Sequence, residues 1–518
     1  MKQGFRQSMA WLHTWTGLLV GWLLLLIFMG GTASYYRDEI TRWMRPELPT
    51  TPVSAEVALR SAERYLQAHA PDAQNWNITL PDERNPVLVM YWLNPAPPAG
   101  QPPASRREMY GNATLDPATG DDVAARETRG GDFFYRLHFD LHYLPAIWAR
   151  YIVGFCAMFM LVAIISGVIT HKKIFKDFFT FRPGKGQRSW LDFHNVSAVL
   201  ALPYHAMITY TGIVTLMFMY LPWGIKAAYP DDEMRFYDEA ANRVADTRPA
   251  AGTPATLLPL EQLVQRARRD WNGADVASVA VNHPNDAHAS VAVIQRAASL
   301  SIDAPSMLFD GVGGQLMRRS GAPGGASETR GVMYGLHTAG FANAFLRLLF
   351  FGSGLLGCLM VASGVVLWAV KERPKHQKAG RIGFGLRLVD ALNIGTVAGL
   401  PIAFATFFWA NRLVPVGIAD RIDAEENLFF WAWGAALLAA FVWPRRAMWA
   451  WQLYAGALLF AGIPLLNALT TGIHLGVTLP AGNWALAGVD LVCLGLGACL
   501  GVAGWRMQHG SRRCRRPS

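Results

Sequence analysis

Four histidines lie where apolar runs begin or end: His13, His194, His138 and His337. An imidazole in or beside a membrane span is costly enough to be a functional candidate. Taken singly, each could equally well reach the headgroups or cap helix carbonyls. Their spacing shifts that balance, because they occur as counterparts. His13 follows Leu12 and precedes Gly31 by 18 residues, and His194 follows Phe193 and precedes Gly212 by the same 18. His138 closes Tyr135-Arg136-Leu137-His138, and His337 closes Tyr334-Gly335-Leu336-His337. Two imidazoles facing each other across a helix bundle are the axial pair that a low-spin haem iron takes. His13 with His194, and His138 with His337, are therefore the expected axial ligands of two b-type haems. No Cys-x-x-Cys-His occurs, which excludes covalent c-type attachment.

Three other histidines break the correspondence: the positions matching His142, His171 and His205 are Phe341, Trp368 and Leu24. They form a second tier of haem candidates. His205 follows His194 by 11 residues, about three turns of a straight helix, which would put it on the same face and about 16 Å deeper. There it would replace an outer ligand, line a proton path, or merely hydrogen-bond. His142, four after His138, would share its face in a continuous helix and is the main rival for the outer site. His171, beside Lys172 and Lys173, reads as a helix-end residue. No catalytic side chain is identifiable, and the five cysteines show no paired spacing.

The elements that must hold these imidazoles are membrane spans. In a chain of 518 residues, 52% hydrophobic and 16% charged, eight runs can cross about 30 Å of hydrocarbon. They lie at 12–35, 148–170, 195–220, 344–370, 391–410, 428–443, 448–468 and 484–505. Basic residues gather at alternate ends: Lys2 and Arg6; Lys172, Lys173, Arg182, Lys185 and Arg188; Lys371, Arg373, Lys375 and Lys378; Arg445 and Arg446; and the tail with Arg512, Arg513, Arg515 and Arg516. With eight spans these ends share one side, expected to be cytoplasmic with both termini. The net charge of +10 thus reads as topology and not as nucleic-acid binding. The first run is too long for a cleaved signal peptide, and no A-x-A site follows Gly30-Gly31.

Between the spans the chain repeats itself. Each polar segment offers an amphipathic helix (55–66 and 260–271), strand-like alternation, and a turn with Asp and Gly four apart, Asp116 to Gly120 and Asp310 to Gly314. The Asp accepts local backbone bonds and the Gly permits positive φ. Glu127-Thr128-Arg129-Gly130 recurs as Glu328-Thr329-Arg330-Gly331, and Ser-Gly-Val occurs at Ser166 and Ser363. The expected fold class is an all-α polytopic membrane protein with eight transmembrane helices. A duplicated unit of span, α+β outer domain and span makes a four-helix haem bundle with a pseudo-two-fold axis along the membrane normal, and four extra C-terminal spans follow. The expected divisions are a first repeat at 1–175 with polar segment 40–135, a second at 176–375 with polar segment 222–335, a four-helix membrane region at 385–506, and a basic tail at 507–518.

Over residues 5 to 372 the chain resembles the PepSY-associated transmembrane proteins, which include haem-containing ferric-siderophore reductases of bacterial inner membranes and iron-regulated membrane proteins. The resemblance rests on Leu12-His13-x-Trp15-x-Gly17-Leu18, on Leu115-Asp116-Pro117-Ala118-Thr119-Gly120, on Leu137-His138-Phe139-Asp140-Leu141, and on Leu336-His337. It implies PepSY-like periplasmic segments and a di-haem reductase of ferric siderophores or other ferric chelates. His142, His205 and the four added spans depart from the pattern. No G-x-G-x-x-G follows a strand and no P-loop is present, so electrons must come from a cytoplasmic reductase or from quinol. One alternative is a transporter carrying the iron chelate inward, against which Pro203 has no counterpart in the other half. A second is a non-enzymatic membrane protein whose PepSY-like segments bind periplasmic peptides or proteases.

Overall fold

From Phe5 to Ser34 the only charged side chain is Arg6, and the segment forms one unbroken helix, α1. In the computed structural model, which describes residues 4–49, 53–95, 106–171, 174, 180–241, 244, 246–297 and 299–509, a short helix α2 (Arg37–Met44) follows. Then come α3 (Ala55–His69), strands β1 (Asn75–Thr79), β2 (Leu88–Leu93) and β3 (Tyr110–Leu115), and helices α4 (Gly131–Asp140) and α5 (Ala146–Thr170). The second passage runs α6 (Gln187–Leu200), α7 (Leu202–Thr215), α8 (Leu260–Asp270), β4 (Val276–Asn282), β5 (Ser290–Gln295), β6 (Ser306–Asp310), β7 (Leu316–Arg319), α9 (Gly325–Thr338) and α10 (Ala344–Lys378). The remainder is α11 (Phe384–Asn393), a π-helical turn at Ile394–Ala398, α12 (Gly399–Leu413), α13 (Arg421–Val442), α14 (Arg446–Thr470) and α15 (Trp484–His509). Lys172, Lys173 and the tail from 510 onward, with Cys514, lie outside the described residues.

Among the described residues, six helices are long and apolar enough to cross a membrane: α1, α5, α10, the run α11 to α12, α14 and α15. The third expected span is a bent pair, α6 and α7, which meet at 67° and make a seventh crossing if they act as one. The bend falls at Ala201, where the backbone leaves the helical region, and Pro203 in the first turn of α7 cannot donate the amide that would continue the helix. This removes the straight helix on which His194 and His205 were expected to share a face. The sixth expected span is α13, whose head carries Arg421, Asp423, Glu425 and Glu426.

The chain divides into two compact units. The first (1–46, 126–216 and 342–518) is helical. In it α1 packs against α5 and α10, α6 against α10, and α7 against α5, so α1 and the α6/α7 pair occupy one diagonal of a four-helix arrangement. The helices after α10 pack on one another and on α1 and α4 through a core that includes Leu24, Phe133, Phe134, Phe404, Phe407 and Phe429.

The second unit (47–125 and 217–341) carries the polar segments, which share one antiparallel sheet of order β3-β2-β1-β4-β5-β6-β7. The central pair is β1 with β4, in register from Asn75 opposite Asn282 to Thr79 opposite Ser278. Ala58, Leu59, Leu66, Leu263, Val264 and Ala267, from one face each of α3 and α8, are buried in the core against the sheet. Both Asp-to-Gly turns form as expected: Gly120 donates to the Asp116 carbonyl at 2.8 Å and Gly314 to that of Asp310 at 3.0 Å, with φ of +81° and +73°. Trp76 on β1 is fully buried, lies opposite Val281, and donates its indole N–H to the Ala70 carbonyl at 2.9 Å. Trp76→Ala should cost this unit about 3–5 kcal/mol, the range for emptying a large aromatic site. Hydrogen exchange in β1 and β4 checks this; unchanged protection there would show that the central pair does not depend on Trp76.

Candidate functional site

His13 on α1 hydrogen-bonds through Nδ1 to the Ala163 carbonyl of α5 at 2.8 Å. His194 on α6 bonds through Nδ1 to the Met360 carbonyl of α10 at 3.0 Å, with Ser363 Oγ at 3.2 Å. A carbonyl oxygen only accepts, so in each neutral ring the proton sits on Nδ1 and the lone pair on Nε2. Both tautomers are therefore fixed by a neighbouring helix. A Cβ on Gly167 would come within 3.0 Å of His13 Cε1, and one on Gly364 within 3.2 Å of His194 Cε1. These are the glycines of the two Ser-Gly-Val repeats, whose function is thereby explained: a bare stretch of helix lets each imidazole reach the backbone. The two rings lie with centres 6.3 Å apart and planes 65° apart.

His138 on α4 makes the same kind of contact, Nδ1 to the Ile27 carbonyl of α1 at 2.7 Å. Its ring fills the space a side chain on Gly31 would take, the missing Cβ lying 2.7 Å from Cε1. Gly31, the 18-residue marker of the sequence repeat, is thus a place for His138. His337 lies in the last turn of α9, in the other unit. His205 on α7 is fully buried beside Phe28, ring centres 6.4 Å apart. Among the described residues neither of its nitrogens meets hydrogen-bond geometry, although the Ala198 and Ser353 carbonyls lie beside it.

His142 does not share the face of His138. Helix α4 ends at Asp140, and Leu141 and His142 are both left-handed, with φ of +51° and +58°. That reversal lays the His142 ring on Phe430 at 4.9 Å and brings Nδ1 to 3.7 Å from Glu426. His171 is the residue after α5, as a helix-end reading requires, and accepts from Asn195 Nδ2 at 3.1 Å.

A family model described as the PepSY-associated TM region matches residues 10–371, carrying all four primary histidines. The chain belongs to the PepSY-associated TM family. It is also similar to the uncharacterized protein PA4219 of Pseudomonas aeruginosa, 26% identical over 374 residues that make up 69% of this chain and 90% of the relative.

The PepSY-associated region ends before α11, and the helices beyond it hold buried charges that sequence reasoning missed. Arg421 and Glu425 pair one turn apart with no exposure on either side chain. Arg421 also donates to the carbonyls of Glu127 and Asn411, and Glu425 accepts from Thr128 and Asn411. Nearby, the Arg412 guanidinium lies 3.8 Å from the centre of the Trp43 ring, and Trp43 donates to Asp490 at 2.9 Å. The available signal was ionisable residues at the head of, or inside, apolar runs. Removing one partner of a buried pair strands the other, so Arg421→Ala should cost about 3–5 kcal/mol. Arg235→Ala, which breaks an exposed pair with Glu239, should leave stability unchanged. The aggregation temperatures of the two purified variants give the comparison, and equal values would mean that the buried pair carries no special weight.

Proposed function

We propose that this protein is a di-haem b oxidoreductase of the bacterial inner membrane, reducing ferric siderophores or other ferric chelates at the periplasmic face. In this reading α13 is the eighth span, the two halves are a duplicated unit, both termini are cytoplasmic, and electrons come from a cytoplasmic reductase or quinol. The observation that carries it is the His13 and His194 pair. An iron bonded to both Nε2 atoms at about 2 Å would hold the ring centres about 6 Å apart, and they lie at 6.3 Å. Each ring already presents the tautomer such a bond requires, oriented by a carbonyl as metal-bound imidazoles generally are.

The second site is assigned to His138 by its identical anchoring on Ile27, and to His337 by the repeat. Bound haem b would supply a one-electron centre at each pair. The chain's own residues fix ring orientation at the inner pair, through the Ala163 and Met360 carbonyls. At the outer face, one electron converts Fe(III) to Fe(II), which holds hard oxygen donors less strongly and lets the chelate release its iron. The transporter alternative calls for matching breaks in the two halves. The break at Ala201 has no match in α1, which is continuous.

Purified wild-type protein should carry two haems per chain by pyridine haemochrome, and none would overturn the proposal. His13→Ala and His194→Ala should each lose one haem, and His138→Ala and His337→Ala the other. Gly167→Leu should mimic His13→Ala by driving the ring off Ala163. His205→Leu should retain both haems; losing one there while His337→Ala keeps both would move the outer ligand to His205, whose unbonded nitrogens favour that second assignment.

A further inference from the structure

The two copies of Glu-Thr-Arg-Gly are identical in sequence, yet they are held in different ways. In the second copy, Thr329 is inside α9 and gives its hydroxyl to the Gly325 carbonyl, while Arg330 pairs with Asp303 at 2.8 Å. The first copy precedes α4 and is bound by α13. Thr128 donates to Glu425 at 2.5 Å and accepts from Gly130 N at 3.0 Å, and Arg129 pairs with Glu426 at 2.9 Å. Gly130 has φ of +57°, and a Cβ there would meet Thr41 Oγ1 at 2.6 Å. Thr41 Oγ1 in turn accepts from Gly131 N at 2.9 Å, which starts the helix against α2.

From that start, α4 is gripped along its length. Phe133 stacks on Phe407 at 4.4 Å and Phe134 on Phe404 at 4.7 Å, the latter pair nearly parallel. His138 comes one turn later, with its ring in the space over Gly31. A ten-residue helix does not hold an imidazole in place by itself, since short helices depend on packing. Besides α1 and α2, α4 is held at its end by Arg150 of α5, which pairs with Asp140 at 2.9 Å, and on its Phe133 and Phe134 face by α12 and α13.

We propose that the helices beyond residue 371 are the positioning apparatus of the outer cofactor, with Thr128, held by the Arg421–Glu425 pair, as the residue that sets where α4 places His138. This rests on the di-haem reading for the identity of the cofactor, but the clamp itself is a property of the chain. It gives the added C-terminal region a role on the His138 side of the outer site, whereas Thr329, before His337, bonds within its own helix to the Gly325 carbonyl.

The test uses full-length protein in detergent, with Thr128→Val, which keeps shape and leaves Arg421–Glu425 intact, Thr128→Ser as the conservative rescue, and Thr329→Val as the matched control. Hydrogen exchange across 131–140 should rise about tenfold in Thr128→Val, the size expected when one hydrogen bond is removed from a local opening. In the same variant, one of two low-spin ferric signals in the electron paramagnetic resonance spectrum should shift while the other stays. Thr128→Ser and Thr329→Val should match wild type in both. If Thr128→Val changes neither readout, or Thr329→Val changes both alike, the proposal is overturned. Wild-type protein without haem would overturn the di-haem reading and the cofactor half of this proposal, and the exchange result would still decide the clamp.

Discussion

Three imidazoles of this bundle, His13, His194 and His138, give their N–H to the backbone of the next helix. A helical carbonyl is normally shielded by side chains and already engaged, so the donor can approach only where a side chain is missing. That constraint ties the three anchored histidines to three glycines: His13 to Gly167, His194 to Gly364 and His138 to Gly31. It also ties each histidine-bearing helix to its neighbour, α1 to α5, α6 to α10 and α4 to α1. Fixing Nδ1 as donor leaves Nε2 as the basic atom, so one packing requirement determines both bundle geometry and chemistry.

Much of this was legible in the residues. The 18-residue spacing, the paired Ser-Gly-Val and the Asp-to-Gly turns are repeat markers because each does local work, and the structure assigns work to Gly31, Gly167, Gly364, Gly120 and Gly314. The helices at 55–66 and 260–271 were readable from one apolar face each, and form as Ala55–His69 and Leu260–Asp270. Less legible were features that depend on distant partners. The joining of two polar segments into one sheet is a long-range pairing of β1 with β4 that no local pattern encodes. The bend at Ala201 outweighed an apolar run that reads as continuous. His142 was misplaced by counting residues through a stretch where Leu141 and His142 leave the helix.

The C-terminal helices show how the same tetrapeptide takes its meaning from what surrounds it. Burying Arg421 beside Glu425 is costly unless most remaining donors and acceptors are met, and here the Glu127 and Asn411 carbonyls take the terminal guanidinium nitrogens and the Thr128 hydroxyl meets the carboxylate, while Arg421 Nε has no partner among the described residues. A charge cluster at the head of α13 is thereby converted into an anchor for the segment before α4. The added region and the bundle share one apolar cluster that includes Leu24, Phe134 and Phe404.

The central claim is that paired imidazoles hold iron inside this bundle. Low-temperature electron paramagnetic resonance of the oxidised, purified wild-type protein tests it most directly. Two low-spin ferric signals of the bis-imidazole type are expected, each from one histidine pair. A spectrum with no ferric haem signal, or with only high-spin iron, would contradict the account.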